Sequence, residues 1–169
     1  SVLYVQDVKP GIFSRVSTAH VTEQKAKELA FCNVRQGDVL VAKVGAPPCD
    51  SCVYRSDESA IVTQDVIRIR PGKGVNPEYL SSLLNSPGGR NSVKRISIEG
   101  TRERVSLTEF KDLVLPIASL REQDLIGTRL EIAEASINTE KRKCKKLRLQ
   151  KHGLMHDLLT GKVLVKLAA

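Results

Sequence analysis

The sequence predicts an α+β fold: a small mixed domain with many short strands, followed by one long C-terminal helix that forms an antiparallel coiled coil. Three observations indicate this fold. In residues 1–118, short runs rich in β-branched residues are separated by breaks that contain glycine and proline. Capping sequences open short helices between these runs. In residues 119–161, apolar residues instead recur at alternating spacings of four and three, which is the heptad pattern of a coiled coil.

Length and composition divide the chain into two parts and suggest a partner. The chain has 169 residues, 41% of them hydrophobic, so residues 1–118 can bury one small core and residues 119–169 supply the long helix and a short tail. No apolar run approaches the length of a membrane span. The formal net charge is +8, from 27 lysines and arginines against 19 acidic residues. Such an excess favours a polyanionic partner, usually nucleic acid.

The first residues and the cysteines indicate the cellular compartment in which the protein is expected. The first five residues predict a strand rather than a signal peptide, and we expect a further N-terminal piece of the first domain to precede them. With no secretion signal, the four cysteines are expected to be reduced thiols in the cytoplasm.

The elements of the first half follow from apolar runs and from caps. A turn at residues 36–38 introduces the clearest strand, which ends at Gly45 and the prolines after it. The predicted elements are strands at residues 3–5, 39–44, 53–54 and 60–62, and a helix at residues 23–30 that is capped by Thr22.

The elements of the second half alternate between strand and helix. Residues 66–70 alternate, so Arg68 and Arg70 should share one face of a strand. Asn76 caps the next helix, which turns Tyr79, Leu80, Leu83 and Leu84 inward and ends before residues 87–89. Residues 90–104 are predicted to be basic loops. A capping box at residues 106–109 opens a short helix, and residues 113–116 predict a final strand.

The stretch from Ser119 to Gly161 predicts one uninterrupted helix. Residues 119–122 form a capping box, and Gly161 supplies a left-handed end. The predicted dimerisation seam consists of Ile126, Leu130, Ala133, Ile137, Cys144, Leu147, Leu154 and Leu158, with Glu140 and Lys151 as polar breaks. A lone helix cannot bury this stripe, so we expect a partner helix. The alternative is a helix folded back on its own domain.

Charge along this helix predicts the direction of pairing. Acidic residues lie mainly in the first half, and a basic run follows at residues 141–151. Antiparallel pairing sets acid against base, whereas parallel pairing sets like against like. We therefore expect an antiparallel homodimer, or the same contact with the matching helix of a full-length subunit. With a midpoint near residue 142, Glu134 approaches Arg148 and Lys151 of the second copy.

The globular part contains the candidates for DNA contact. Basic side chains in loops on a rigid scaffold are suited to phosphate contacts. The predicted DNA-binding residues are Arg15, Lys43, Arg55, Lys73, Arg90, Lys94, Arg95, Arg102 and Arg104. The alternative is that these charges only keep the protein soluble, and the basic run of the long helix has the same alternative.

Several sequence features that resemble active sites are incomplete. Cys49 and Cys52 have the spacing of half a zinc site, but no second close pair follows. His152 and His156 share a helix face without a further ligand in register. Ala46-Pro47-Pro48-Cys49 differs from the tetrapeptide of amino-methyltransferases at both functional ends. No glycine loop of the phosphate-binding type is present. The chain is therefore not expected to be catalytic by itself.

Four stretches, taken in order, resemble the motifs of one known family. Residues 37–41 with Gly45 resemble its "GDIL…G" strand, and residues 76–80 resemble its "P-x-Y-L" helix. Residues 113–123 resemble "L-x-L-P-x-P-x-x-E-Q", with Ala118 where the family often has a second proline. Residues 151–163 resemble "K-x-G-L-M-x-D-L-L-T-G-K-V". In these four stretches the chain resembles the specificity subunits of type I restriction-modification systems.

The resemblance implies a function without catalysis in this subunit. It implies a target-recognition domain at residues 1–118 and a conserved long helix at residues 119–169, which correspond to the C-terminal half of a full subunit or to a half-sized one. The implied partners are double-stranded DNA, methyltransferase subunits and the restriction subunit. S-adenosylmethionine, ATP and Mg would belong to those other subunits, and this chain is expected to hold no cofactor.

Two other functions are kept as alternatives. One is a non-catalytic coiled-coil adaptor with only non-specific affinity for nucleic acid, which predicts no DNA binding at moderate salt. The other is an enzyme that acts through Cys49 and Cys52, which predicts a bound metal or a depressed thiol pKa.

Overall fold

The structure is a computed structural model, which describes residues 1–98 and 103–165. Its contacts divide the chain into two units, Ser1–Gly127 and Thr128–Ala169. Within the described residues the strands are β1 (Val2–Leu3), β2 (Val8–Lys9), β3 (Ile12–Phe13), β4 (Asn33–Val34), β5 (Val39–Ala42), β6 (Val44–Gly45), β7 (Ser51–Val53), β8 (Ala60–Val62), β9 (Val66–Ile69), β10 (Ser97–Ile98) and β11 (Glu103–Val105). The α-helices are α1 (Glu23–Glu28), α2 (Pro77–Asn85), α3 (Pro87–Lys94), α4 (Leu107–Lys111) and α5 (Leu120–Leu159).

The centre of the first unit is strand β5. It pairs antiparallel with β7 on one side and with β9 on the other. All four of its residues are buried, because alternate side chains enter two separate cores. Val39 and Val41 pack in the core that helices α2, α3 and α4 cover, and Leu40 and Ala42 pack in the core formed with β1, β2 and β8. The apolar run in the sequence thus becomes a strand buried on both faces.

Three small sheets surround this centre. β1 pairs parallel with β8, and β8 pairs antiparallel with β4. β11 lies between β10 and β6, antiparallel to both, and β2 and β3 form a hairpin. The predicted α+β architecture, many short strands and one long C-terminal helix, is confirmed; the structure contains a single copy of the chain.

Local capping explains the helices that the sequence predicted. The Thr22 side chain accepts from the N–H of Lys25, and Asn76 accepts from Glu78 and Tyr79. The long helix ends at Leu159, and Gly161 has a φ of 72°, a left-handed value that favours glycine. Ser106 and Glu109 form the predicted capping box at the start of α4.

Two predicted elements at the start of the chain have shorter bounds in the structure. The strand predicted at residues 3–5 ends at Leu3, because residues Val5–Asp7 form a 3₁₀ turn in which the N–H of Asp7 donates to the carbonyl of Tyr4. The helix predicted to reach residue 30 ends at Glu28, and a second 3₁₀ turn follows at Ala30–Cys32.

The helix α2 ends before residues 87–89, as predicted, but the prediction that residues 90–104 lie in loops was wrong: residues 90–94 belong to helix α3, and β10 and β11 follow. Ser86 closes α2 and also caps α3, and Pro87 stands at the first position of α3, where it is tolerated. Gly89 allows the two helices to meet, since a Cβ on it would lie 2.1 Å from the carbonyl oxygen of Leu83. Arg90 and Lys94 are therefore helical rather than in loops.

The strand predicted at residues 113–116 was also wrong. These residues are irregular and form no ladder. Leu113 and Leu115 pack against the helical core, and the Tyr79 hydroxyl donates to the carbonyl of Pro116 at 3.4 Å. Side-chain packing and this hydrogen bond hold the segment in position, so it needs no pairing with a strand.

The first turns of α5 belong to the globular unit. The fully buried side chain of Gln123 accepts from the N–H of Asn76 at 2.8 Å and donates to the carbonyls of Gly74 and Ala118. Asn76 in turn donates to Asp124 at 2.7 Å. Among the described residues, no helix is both long and apolar enough to cross a membrane.

Candidate nucleic-acid interface

A cleft of about 1320 Å³ opens on the first unit. Its walls come from the turn between β1 and β2, from residues 16–19, and from the loop that follows β6. Ile98 and Arg104, which lie opposite each other in the β10–β11 ladder, complete it. The cleft thus collects loops from several distant parts of the sequence, as binding sites on a rigid scaffold do.

Basic side chains lie at this cleft. Lys9 and Arg104 line it and are exposed. Lys43 immediately precedes β6, and its carbonyl accepts from the N–H of Val105, so Lys43 and Arg104 are neighbours across the strands. Arg104 lies 3.6 Å from the carboxylate of Asp65, an exposed pair that solvent screens. The two predicted residues Lys43 and Arg104 are therefore brought together at one edge.

The wall formed by residues 16–19 is fixed by a buried carboxylate. Asp7 is fully buried and accepts at 2.8 Å from the N–H groups of Tyr4, Val16 and Ser17, and it also accepts from the Ser17 hydroxyl. Burial raises the pKa of this carboxyl, but the bonds from the Ser17 side chain and from the backbone outweigh it, and the net pKa is lowered. Asp7 was not among the predicted residues, because nothing local in the sequence marks its distant partners.

Two further predicted residues are paired with acids away from this edge. Arg15 forms an ion pair with Glu58 at 3.0 Å, and Arg55 forms one with Glu78 at 2.8 Å. The Arg55 side chain is 60% exposed, so solvent screens its pair. The Arg15 side chain is 28% exposed and also donates to the carbonyl of Ser17 and the hydroxyl of Ser1.

The remaining predicted residues differ in exposure. Lys73, Lys94 and Arg95 are exposed. Arg90 is largely withdrawn from solvent and bonded to Asp50 at 2.6 Å. Arg102 lies outside the described residues.

Arg68 and Arg70 share a face, as predicted, and serve the fold. Both guanidinium groups donate to the carbonyl of Asn33. The guanidinium of Arg70 also donates to both carboxylate oxygens of the buried Asp38, at 2.8 and 2.7 Å. Asp38 and Gln123 both fall in the stretches that resemble the family, and each anchors a turn.

The thiols of Cys49 and Cys52 are buried. Cys49 packs in the helical core, and Cys52 packs in the other core as part of β7. Burial raises the pKa of each thiol to about 12. An enzyme acting through these thiols needs the opposite shift. Within the described residues, no group of three or more histidines, cysteines or acids could hold a metal ion.

The predicted seam of the long helix is mostly open to solvent. Ile126 is half-buried, whereas Ala133 and Cys144 are exposed. The large apolar members have exposed fractions of 41% to 64%: Leu130, Ile137, Leu147, Leu154 and Leu158. An apolar stripe of this length is characteristic of a surface that meets another protein.

Comparison with known proteins identifies the family. A family model described as the type I restriction modification DNA specificity domain matches residues 8–149. The chain therefore belongs to this family of type I restriction-modification specificity subunits. The resemblance found in the sequence is confirmed.

Two relatives place the chain within the family. It is 33% identical over 99 residues to the specificity subunit of the type I restriction enzyme EcoBI from Escherichia coli. The aligned region covers 58% of this chain and 21% of that relative. The crystal structure of the HsdS subunit from Thermoanaerobacter tengcongensis has the same fold, with a TM-score of 0.65 and 20% identity. That match covers 91% of this chain and 40% of the solved one, so the chain spans less than half of each relative.

Proposed function

We propose that this chain recognises a specific DNA sequence and directs the methyltransferase and restriction subunits of a type I restriction-modification enzyme to a bipartite site. Residues 1–118 act as the target-recognition domain, and residues 119–169 act as the pairing and docking helix. The observation that carries the proposal is the cleft lined by Lys9 and Arg104 in a chain of the specificity family.

The cleft suits duplex DNA for physical reasons. Lys9 and Arg104 offer charges for phosphates, which supply most of the affinity. The apolar and backbone groups of the neighbouring loops offer the close contact with base edges that specificity requires. Asp50 and Asp65, which would repel phosphates, are each paired with an arginine.

The long helix supports pairing with a second copy. Its exposed apolar seam extends along a helix whose first half is acidic and whose second half is basic. An antiparallel arrangement therefore packs the apolar residues of the two copies together and places opposite charges side by side. With the midpoint near residue 142, Leu130 of one copy faces Leu154 of the other, and Ile137 faces Leu147. Each buried leucine or isoleucine contributes roughly 1.5–3 kcal/mol, whereas each exposed ion pair contributes less than about 1 kcal/mol.

The chain is proposed to act without catalysis of its own. S-adenosylmethionine, ATP and Mg belong to the partner subunits in this account. The purified chain is therefore expected to transfer no methyl group to DNA when it is given S-adenosylmethionine alone. Incorporation of labelled methyl groups by the chain without partner subunits would contradict this part of the proposal.

The dependence of DNA affinity on salt concentration tests whether the chain contacts the phosphates of DNA. The logarithm of the binding constant should fall with the logarithm of salt concentration by about 0.9 for each phosphate contact. The double variant Arg102→Gln with Arg104→Gln should bind more weakly and have a shallower slope, as measured by gel shift on a random duplex pool. The matched control, Lys27→Gln on α1, removes an exposed charge away from the cleft and should leave the slope unchanged. An affinity that stays flat between low and physiological salt would contradict the proposal.

A further inference from the structure

The loop between β6 and β7 forms part of the cleft wall and is folded tightly. Gly45, Ala46, Pro47 and Asp50 line the cleft, and Ala46 and Pro47 are exposed. A Cβ on Gly45 would lie 2.6 Å from the carbonyl oxygen of Pro47, so the chain folds closely over this residue. The loop therefore presents two small apolar side chains to the cleft at a fixed place.

The next residues of the loop are buried. Pro48 is buried, and Cys49 is fully buried in the helical core with a φ of 67°. A left-handed conformation is unfavourable for a residue other than glycine, so surrounding contacts must hold it. The N–H of Cys49 donates to the carbonyl of Ala42 at 2.7 Å, which supplies one such contact.

Arg90 on α3 supplies the others. Its two terminal nitrogens donate to the carbonyl of Pro48 at 2.8 Å, to the carboxylate of Asp50 at 2.6 Å and to the side chain of Asn85 at 3.1 Å. Only 18% of its side chain is exposed. A guanidinium that is bonded in this way to a backbone carbonyl and a carboxylate is occupied, and it has little surface left for a phosphate.

Asn85 continues the same clamp to the start of β7. Its side chain accepts from the N–H of Ser51 at 3.1 Å and donates to the carbonyl of Ser51 at 2.8 Å. The hydroxyl of Ser51 donates to the carbonyl of Ser81 at 3.0 Å. Helices α2 and α3 thus hold Pro48 and Asp50 of the loop and Ser51 at the start of β7.

We infer that Arg90 is a positioning residue for DNA recognition, which holds the loop of residues 45–50 so that Ala46 and Pro47 meet the edge of a duplex in the cleft. The inference rests on the proposed function and assigns it a recognition loop. It also gives Arg90 a role different from the phosphate contact that the sequence suggested.

The substitution Arg90→Lys separates the two roles. Lysine keeps the positive charge, so a phosphate contact would largely survive, but it cannot hold Pro48 and Asp50 at once with a planar fork. The thiol of Cys49 can report on the loop, because Cys49 is fully buried and lies between Pro48 and Asp50, the two residues that Arg90 holds. Its rate of alkylation by N-ethylmaleimide is read by mass spectrometry in the full chain, with Cys52 in β7 as an internal reference.

The matched control is Asn91→Ala on the same helix, since Asn91 is exposed and was not among the predicted DNA-binding residues. In Arg90→Lys we expect the rate of Cys49 alkylation to rise by about tenfold or more, because the charge-assisted clamp is lost, while Cys52 stays protected. In Asn91→Ala both thiols should react as in the unaltered chain. A rise at both cysteines in Arg90→Lys would indicate general unfolding, and Asp50→Asn, which removes one arm of the clamp, would then have to expose Cys49 alone.

DNA binding gives the second readout. The probes are a duplex selected by the unaltered chain and a scrambled duplex of equal composition. Arg90→Lys should lower the preference for the selected duplex by about tenfold without changing the salt slope, whereas Asn91→Ala should leave both the preference and the slope unchanged.

The outcomes are distinguishable. If Cys49 stays protected in both Arg90→Lys and Asp50→Asn, the clamp is wrong. If Cys49 becomes reactive but the preference is unchanged, the loop does not read DNA, and the inference is overturned. If the unaltered chain prefers no duplex, the proposed function itself fails, independently of what Cys49 reports about the loop.

Discussion

The two units of the chain differ in the exposure of their leucines. In the Ser1–Gly127 unit, Leu3, Leu40 and Leu84 are fully buried. From Thr128 to Val165, no described residue is buried, and Leu130, Leu147 and Leu154 remain exposed. The apolar side chains of the first unit therefore form a core of their own, whereas the second unit leaves a long apolar stripe exposed to solvent.

The same contrast holds for polar groups. In the first unit, the buried side chains of Asp7 and Gln123 each bind three backbone groups. The buried Asp38 binds the N–H of Arg35 and the guanidinium of Arg70. In the second unit, Glu140 and Lys143 form an ion pair between exposed residues that are close in sequence. The difference teaches that buried polar groups fix loops in place in the first unit, whereas this pair of the second unit lies in solvent.

The largest effect is expected from substitutions that disrupt pairing through the second unit. Leu130→Asp with Ile137→Asp places two charges in the seam and should weaken the dimer at least roughly thousandfold, from the loss of buried apolar area. Analytical ultracentrifugation over a concentration series measures this. Ile132→Asp with Leu149→Asp changes two exposed apolar residues off the seam and should leave the dimer intact. A seam variant that stays dimeric would show that the helix pairs through another face.

A smaller effect is expected from the first unit. Asp7→Asn should lower the free energy of unfolding of this unit by about 3 kcal/mol, because the amide offers one acceptor where the carboxylate holds four donors. Urea unfolding followed by tyrosine fluorescence measures the change. Asp57→Asn, at an exposed carboxylate, is the control and should change little.

The pH dependence sharpens this prediction. The folded pKa of Asp7 lies below its ordinary value of 3.8, so its stabilisation is present above that pH and is lost as the pH falls through the folded pKa. Between these two values the unaltered unit should lose up to about 1.4 kcal/mol per pH unit from this group. The Asp7→Asn variant should lack this component of the acid profile. An unchanged profile would mean that other carboxylates govern acid unfolding.

Signals that act over a few residues predicted the structure well. The caps at Thr22, Asn76 and Ser106 and the left-handed Gly161 all stand where the sequence placed them. Each depends on hydrogen bonds within one turn, so the neighbouring residues contain all the information.

Signals that depend on distant contacts were misleading. Residues 90–104 were predicted as loops, but Gly89 packs against the backbone of Leu83 and Leu84, which allows a second helix, Pro87–Lys94, directly after α2. Arg90 looked like a phosphate contact because its partners, Pro48 and Asp50, are about forty residues away. The cleft itself joins residues near 5, 17, 45, 65 and 104, and no local pattern could reveal that arrangement.

The measurement that tests the central claim most directly is selection of duplexes from a random pool by the intact chain and by the Leu130→Asp, Ile137→Asp variant. If the first unit reads DNA and the second pairs two copies, the intact chain should select a split palindrome with half-site centres roughly 10–15 base pairs apart, because site symmetry mirrors protein symmetry. The variant should lose the split site. Selection of a single unsplit block by the intact chain, or no enrichment at all, would contradict the account.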